Sequence, residues 1–171
     1  MTRILAAAVL ALALLAGCAS LRSDAVVEFD TLVADYEAYR LANDPIAAGR
    51  QGDLEAAARW PDASFEAVAA RNRANAGFLA RLEAIDAGAL DERQQVSHAV
   101  LDYLLRSAVT LAPFEPERIS FNNASGFFSF PGSLALSTRP RSVAEAEAWI
   151  RRIEGIPAYF AQNTAWLRRG L

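Results

Sequence analysis

The hydrophobic positions of this chain follow two patterns, an unbroken apolar run near the start and amphipathic segments after it. In those segments apolar residues recur at three- and four-residue steps, which places them on one face of an α-helix. The first helix is predicted from Asp24 to just before Pro45, because the residue before a proline avoids the helical region. Its apolar stripe consists of Phe29, Leu32, Val33, Tyr36 and Tyr39. An irregular stretch with Gly49 and Gly52 follows, and then a turn or two of helix over 54–60.

The next two helices are predicted from their capping residues. Ser64 has the hydroxyl that an N-cap needs, and Gly88 fits the C-terminal stop of the same helix. Asp91 begins a third helix with Gln94 as its partner in a capping box, and Pro113 ends that helix. The apolar stripe of the third helix consists of Val100, Leu101, Leu104, Ala108 and Leu111. The short connection at Gly88 would join the two helices as a hairpin.

Proline, glycine and phenylalanine crowd residues 112–141 and interrupt the helical pattern. A solvated linker would carry fewer phenylalanines, so this segment is expected to pack or to bind. A fourth helix is predicted from Ser142, with Glu145 completing a second capping box, and Pro157 starts a last helix. The apolar side of the fourth helix consists of Trp149, Ile150 and Ile153. The sequence therefore predicts an all-α fold, an antiparallel array of four to five helices with one long Phe/Pro/Gly-rich irregular segment.

Residues 1–17 have the features of an export signal: the early charge of Arg3, a short apolar run, and small residues before a cleavage site. The apolar run is about twelve residues long, whereas a helix needs about 20 to cross a membrane. Cys18, the single cysteine, follows directly, at the position that is diacylated in bacterial lipoproteins. We interpret residues 1–17 as a lipoprotein signal peptide, Cys18 as the lipidation site and residues 18–23 as a tether. A plain signal peptide and a transmembrane anchor are the alternatives.

Lipidation would make the membrane the first partner of this protein. Acyl chains on Cys18 would hold the chain to one leaflet without spanning the bilayer. Ala19, not an aspartate, follows the cysteine, which in a Gram-negative host resembles the rule for sorting to the outer membrane. The predicted location is the cell envelope, on the outer membrane facing the periplasm if the host is Gram-negative.

Charge and composition exclude several functions. The net charge is −3, so the chain lacks the basic footprint of a nucleic-acid-binding protein. A catalytic zinc takes about three protein ligands, usually including two histidines, and this chain has one His and one Cys. We therefore predict no catalytic and no metal-ligating residue. His98 and Asp102 are four residues apart on the third helix, and we interpret them as a helix-surface pair and not as acid–base machinery.

Four short stretches occur in an order that is itself informative. Residues 45–52 follow the pattern P-x-x-A-T-x-x-G, except that Gly49 replaces the threonine. Residues 82–90 follow L-x-x-I-D-x-x-x-L, Gly126 lies in a glycine-containing loop, and residues 149–157 follow Y-x-x-R-L-x-x-I-P with two substitutions. In this order the motifs resemble those of the bacterial family called domain of unknown function 885, in the N-terminal third of its members.

The resemblance carries expectations about fold and function. Arg152 stands where the arginine of the last motif is expected. The resemblance implies a largely helical lipoprotein of several hundred residues. It also implies similarity to zinc-dependent peptidases, with a His-Glu-x-x-His helix later in the chain. This sequence contains no such helix. The resemblance thus implies zinc as the cofactor of the family, whereas the zinc ligands are absent from this chain.

These observations predict a lipid-anchored cell-envelope protein. Residues 24–171 would be the helical N-terminal region of a larger family domain, a fragment of a metallopeptidase-like hydrolase that is inactive alone. The alternative is a complete small helical lipoprotein that binds a protein or peptide partner.

The irregular segment contains a candidate contact loop. Its members are Phe121, Asn122, Asn123, Gly126, Phe127 and Phe128. If exposed, the phenylalanines would form an apolar patch of the kind that marks an interface, either for the missing C-terminal part or for another envelope protein. The other interpretation is that they plug the top of the helical layer.

Overall fold

A computed structural model describes residues 24–119, 121–122 and 124–170, and the fold is all-α, as predicted. The helices are α1 (Asp24–Asn43), α2 (Pro45–Arg50), α3 (Leu54–Ala57), α4 (Phe65–Glu83), α5 (Glu92–Leu111), α6 (Phe130–Ser137), α7 (Val143–Glu154) and α8 (Ile156–Arg169). Short 3₁₀ turns lie at Ala87–Ala89, Ala112–Phe114 and Pro116–Ile119. In this part of the chain no strand forms, and an isolated antiparallel bridge joins Phe121 to Gly126. No helix among the described residues is long and apolar enough to span a membrane.

The main core lies where α1, α4 and α5 meet. Leu32 of α1, Leu82 of α4 and Leu105 of α5 are the largest side chains that are fully buried. The other buried members of this cluster are Phe29, Leu79, Ile85, Leu90 and Leu101. Burial of apolar surface contributes about 25 cal/mol per Å². These leucines therefore hold the three longest helices together.

The caps predicted at Ser64 and Asp91 are confirmed. The Ser64 hydroxyl accepts a hydrogen bond at the start of α4. The capping box of α5 has both of its bonds: the Asp91 carboxylate accepts from the Gln94 N–H (2.8 Å), and the Gln94 side chain accepts from the Asp91 N–H (3.3 Å). The predicted stop at Gly88 is wrong, because α4 ends earlier and the Gly88 N–H donates to the Asp86 carboxylate within a 3₁₀ turn.

The second predicted capping box, at α7, has a different geometry. The Ser142 hydroxyl accepts from the Glu145 N–H (3.1 Å), as expected. The Glu145 carboxylate, however, accepts from the N–H of Arg141 (2.6 Å), one residue before the cap. Both bonds still provide partners for N–H groups at the helix start, which have no acceptor within the helix.

Two short helices, α2 and α6, were not predicted. Asp44 caps α2 by accepting from the N–H groups of Ile46 (3.1 Å) and Ala47 (2.9 Å), with Pro45 in the first turn. Pro131 likewise lies in the first turn of α6. A proline is tolerated there because its missing N–H would have no acceptor in the helix anyway. The segment 112–141 is consequently more helical than the sequence predicted.

The apolar side predicted for α7 is correct at Trp149, which is half-buried, and wrong at its two isoleucines. Ile150 and Ile153 are exposed, and the buried residues of this helix are Ala148 and Arg152. An alanine and an arginine, and not the two isoleucines, therefore face the interior.

The stripe predicted for α5 is correct at Leu101 and wrong at Val100, Leu104 and Leu111, and Leu105 is the second leucine of this helix in the core. A second apolar face of this helix points away from the core and stays exposed. It consists of Val96, Val100, Tyr103, Leu104 and Leu111, each at least half exposed. We refer to these five residues as the outer face of α5.

Candidate functional site

Arg152 of α7 is buried, with 6% of its surface exposed, although arginine is almost never fully buried unless paired. Its Nη2 donates to the carbonyl oxygens of Ala56 (2.8 Å) and Pro45 (3.2 Å). The side chain therefore ties α2 and α3 to α7. Its Nε has no hydrogen-bond partner among the described residues. Burial, and to a lesser extent the charge of Arg50, lowers the pKa of Arg152.

Trp60, in the connection between α3 and α4, holds the C-terminal end of α7 in place. Its Nε1 donates to the carbonyl oxygen of Arg152 (2.5 Å), and the Arg152 guanidinium lies 5.9 Å from an indole ring centroid. The indole also stacks on Tyr159 of α8, with centroids 5.0 Å apart. A Cβ at Gly155 would lie 3.1 Å from Trp60 Cδ1, so the glycine allows this close approach. Arg152 is thus held at both its backbone and its side chain.

A cavity of about 460 Å³ lies between α2, α3, α6 and α7, and we call it the arginine cavity. It takes its name from the guanidinium side chains that line it: Arg50, Arg139, Arg141 and Arg152. Its large apolar lining side chains are Ile46, Leu54, Leu134 and Trp149. The lining combines concentrated positive charge with an apolar wall, as in sites for small charged organic molecules.

Little negative charge neutralises the arginine cavity. Of the described residues that line it, Glu145 is the acidic one, and its carboxylate is engaged by the backbone N–H of Arg141. None of the four cavity arginines forms an ion pair with a carboxylate in the described ranges. Elsewhere in the fold the pairs are short, as between Arg81 and Asp35 (2.7 Å). The cavity therefore carries an excess of positive charge.

Gly49 lines the same cavity, where α2 and α3 are in contact. A Cβ at this position would lie 2.9 Å from Ala57 Cα, closer than packed side chains come to a backbone. The threonine of the resembled motif would force the two short helices apart. Gly49 therefore allows α2 and α3 to approach closely beside the cavity.

The predicted contact loop is partly packed and partly exposed. Phe121 forms the isolated bridge with Gly126, where a Cβ would lie 2.5 Å from the Phe121 Cβ. Phe127 packs edge-on against Phe160 of α8, with centroids 5.3 Å apart. Phe128 is 51% exposed. Phe127 thus fits the interpretation of a plug, whereas Phe121 and Phe128 offer apolar surface.

Asn122 of the loop has a local role. The Asn122 side-chain oxygen accepts from the N–H groups of Ala124 and Ser125, each at 2.8 Å, and so closes the turn. Asn123 lies outside the described residues, as do Cys18 and the rest of residues 1–23. The lipidation of Cys18 stays a prediction.

His98 and Asp102 have separate partners. His98 Nε2 lies 3.3 Å from the carbonyl oxygen of Leu82. Asp102 pairs with Arg106 (2.7 Å), and that hydrogen bond lowers the pKa of the Asp102 carboxyl. Within the described ranges no group of three or more His, Cys, Asp or Glu side chains could hold a metal ion.

The fold and the cavity define an all-α protein in which two short helices and a buried arginine border a positively charged cavity. Residues 45–171 match the family described as bacterial protein of unknown function (DUF885), and the chain belongs to that family. The match begins at the first residue of α2 and includes every element that surrounds the arginine cavity. No curated protein and no solved structure matches the chain.

Arg152 belongs to a recognisable motif, but the sequence does not predict the arginine cavity. Arg50 belongs to a helix that was not predicted, and Arg139 and Arg141 lie in the segment interpreted as irregular. The sequence offers a weak indication of a positively charged site here. These two arginines flank a proline, and no acidic residue lies between them and Glu145. They line the same cavity as Arg152 only through the fold of α6, α7 and the connection between them.

Proposed function

We propose that this chain is a lipid-anchored cell-envelope protein whose helical part is the N-terminal region of a metallopeptidase-like hydrolase. In this proposal the chain has no peptidase activity by itself. The observation that carries the proposal is membership of the family over residues 45–171. The proposed anchor and the proposed hydrolase chemistry are based on the resemblance of the family to lipoproteins and zinc-dependent peptidases.

The outer face of α5 supports a role as part of a larger assembly. Its five apolar side chains line one side of a 20-residue helix, and none of the described elements covers them. Contiguous exposed apolar surface of this kind is typical of protein interfaces. The remainder of a helical hydrolase would bury this face as a domain core does.

Zinc would bind outside the described residues in this proposal. A hydrolytic zinc site needs about three protein ligands and one open position, and the single His98 is turned towards the Leu82 carbonyl. The His-Glu-x-x-His helix of the resembled family would supply the ligands and the general base. The described helices would position that segment without contributing a ligand.

The first test concerns metal and turnover. We expect the purified chain to hold no stoichiometric zinc by elemental mass spectrometry, and to cleave no fluorogenic peptide library above background. A zinc peptidase run in parallel controls for the sensitivity of both assays. We also expect the gene beyond codon 171 to encode a His-Glu-x-x-His segment. Stoichiometric zinc together with peptide cleavage by this chain would refute the proposal.

The second test concerns the anchor. Expressed in a Gram-negative host, the wild-type chain is expected in the membrane fraction, with an acylated Cys18 as its first residue by mass spectrometry. Cys18→Ala is expected to remove the acyl mass and to leave residues 1–17 uncleaved. Ala19→Asp serves as the matched control, which should stay acylated but move from the outer to the inner membrane. An unmodified wild-type chain would contradict lipid anchoring.

The alternative function, a small helical lipoprotein that binds a protein or peptide, is favoured by the exposed rings of Phe121 and Phe128. Solution behaviour separates the two functions. A chain that is monomeric, unfolds cooperatively and binds little hydrophobic dye favours the alternative. Self-association through the outer face of α5, relieved by Val100→Glu, favours the region of a larger hydrolase.

A further inference from the structure

The arginine cavity contains groups that are suited to an anion and that the proposed function does not use. Arg50, Arg139 and Arg141 are exposed at its rim, and Arg152 is buried behind them. Guanidinium groups bind carboxylates and phosphates through two parallel N–H···O hydrogen bonds. A surface with an unneutralised group of arginines attracts such anions before any contact is formed.

The buried guanidinium is the second observation that points to a ligand. Buried charges are normally paired, because an ion loses several kcal/mol of solvation when it leaves water. Arg152 lines the cavity, donates to two carbonyl oxygens, and has no carboxylate partner in the part of the chain that the structure describes. An anion in the cavity would provide the missing counter-charge.

The apolar wall narrows the class of ligand. Ile46, Leu54, Leu134 and Trp149 border the same space, whose volume of about 460 Å³ exceeds what an inorganic ion fills. Small-molecule sites typically combine such walls with a few placed polar groups. The occupant is therefore expected to have an apolar body beside its charge.

We propose that the arginine cavity binds a small organic carboxylate with an apolar body, of about the size of an acylated amino acid. The arginines bind the carboxylate, and the apolar wall packs against the rest of the molecule. This inference does not depend on the anchor or on the hydrolase proposed above.

The probe for the test is N-acetyl-L-leucine, titrated calorimetrically into the purified protein at neutral pH. N-acetyl-L-leucinamide has the same body without the charge, and inorganic phosphate has the charge without the body. We expect the carboxylate to bind at least about tenfold more tightly than either comparison, and more weakly as salt rises. Equal affinity for the amide, equal affinity for phosphate, or no binding at millimolar concentrations would overturn the proposal.

Exposed arginines allow the site to be tested without unfolding the protein. The double variant Arg139→Gln/Arg141→Gln is expected to weaken N-acetyl-L-leucine binding about tenfold or more. Each charge-assisted hydrogen bond to the carboxylate that is lost removes a large share of the binding free energy. Arg73→Gln, an exposed arginine on α4 away from the cavity, is the matched control and should bind as wild type does. Circular dichroism should be unchanged in both. Wild-type affinity in the double variant would overturn the assignment of the cavity.

Discussion

Replacing Arg152 with alanine is expected to lower the free energy of unfolding by about 3–5 kcal/mol. The guanidinium makes two charge-assisted hydrogen bonds, to the carbonyls of Pro45 and Ala56, each worth about 1.5–3 kcal/mol. Removal of a buried charge offsets part of this loss, since its desolvation costs several kcal/mol. Alanine, however, leaves both carbonyls without this donor and opens a void where the side-chain stem packed. The loss therefore outweighs the gain.

Urea unfolding followed by circular dichroism measures this effect, provided that the dependence on urea concentration is unchanged. Arg151→Ala is the matched control, because Arg151 is exposed and adjacent in sequence, and it should change the free energy by less than about 0.5 kcal/mol. Arg152→Met keeps most of the volume without the donors and should cost about 1–3 kcal/mol. If Arg152→Ala costs no more than Arg151→Ala, the buried arginine does not hold α2 and α3 in place.

The sequence was most informative where a local rule operates within one turn of chain. Ser64 and Asp91 begin helices because each side chain accepts from the N–H three residues ahead, which depends on nothing distant. The apolar positions at three- and four-residue steps likewise predicted the first helix and the hairpin of the second and third helices. Existence and type of the long helices could therefore be predicted from the sequence alone.

Prolines were the main cause of the missed helices. Pro45 and Pro131 were interpreted as interruptions, although each lies in the first turn of a helix. A proline cannot continue a helix but can start one, so a single residue ends α1 and opens α2. The choice between the two interpretations depends on whether later residues pack, which in α6 means the burial of Leu134.

The arginine cavity could not be predicted for a different reason. The amphipathic rule places charge outside and isoleucine inside, and α7 reverses it at Arg152 and Ile153. That reversal becomes favourable only when carbonyls of distant helices accept hydrogen bonds from Arg152 and the Trp60 indole offers it an aromatic face. Such partners lie about a hundred positions away in sequence, beyond the reach of any periodicity.

Leu82→Ala is expected to lower the free energy of unfolding by about 3–5 kcal/mol. Leu82 is 0% exposed and lies at the centre of the cluster that joins α1, α4 and α5. Alanine removes the apolar contacts and leaves a cavity that the long helices cannot close without losing their other contacts. Leu136→Ala is the matched control, since Leu136 is 79% exposed on α6 and should change stability by less than about 0.5 kcal/mol. Equal losses in both variants would contradict this location of the core.

Leu82→Ala also tests whether two parts of the fold unfold together. One half is the leucine core, and the other is the aromatic half that contains the tryptophans. All three tryptophans, at 60, 149 and 166, lie away from the leucine core. α4 connects the halves, because Leu82 lies in the core and Phe65 packs edge-on against Trp166, with centroids 4.5 Å apart. We therefore expect tryptophan fluorescence and circular dichroism of Leu82→Ala to shift by the same amount, in one transition. A fluorescence midpoint that stays at its wild-type value would show that the aromatic half, with the arginine cavity, folds independently of the core.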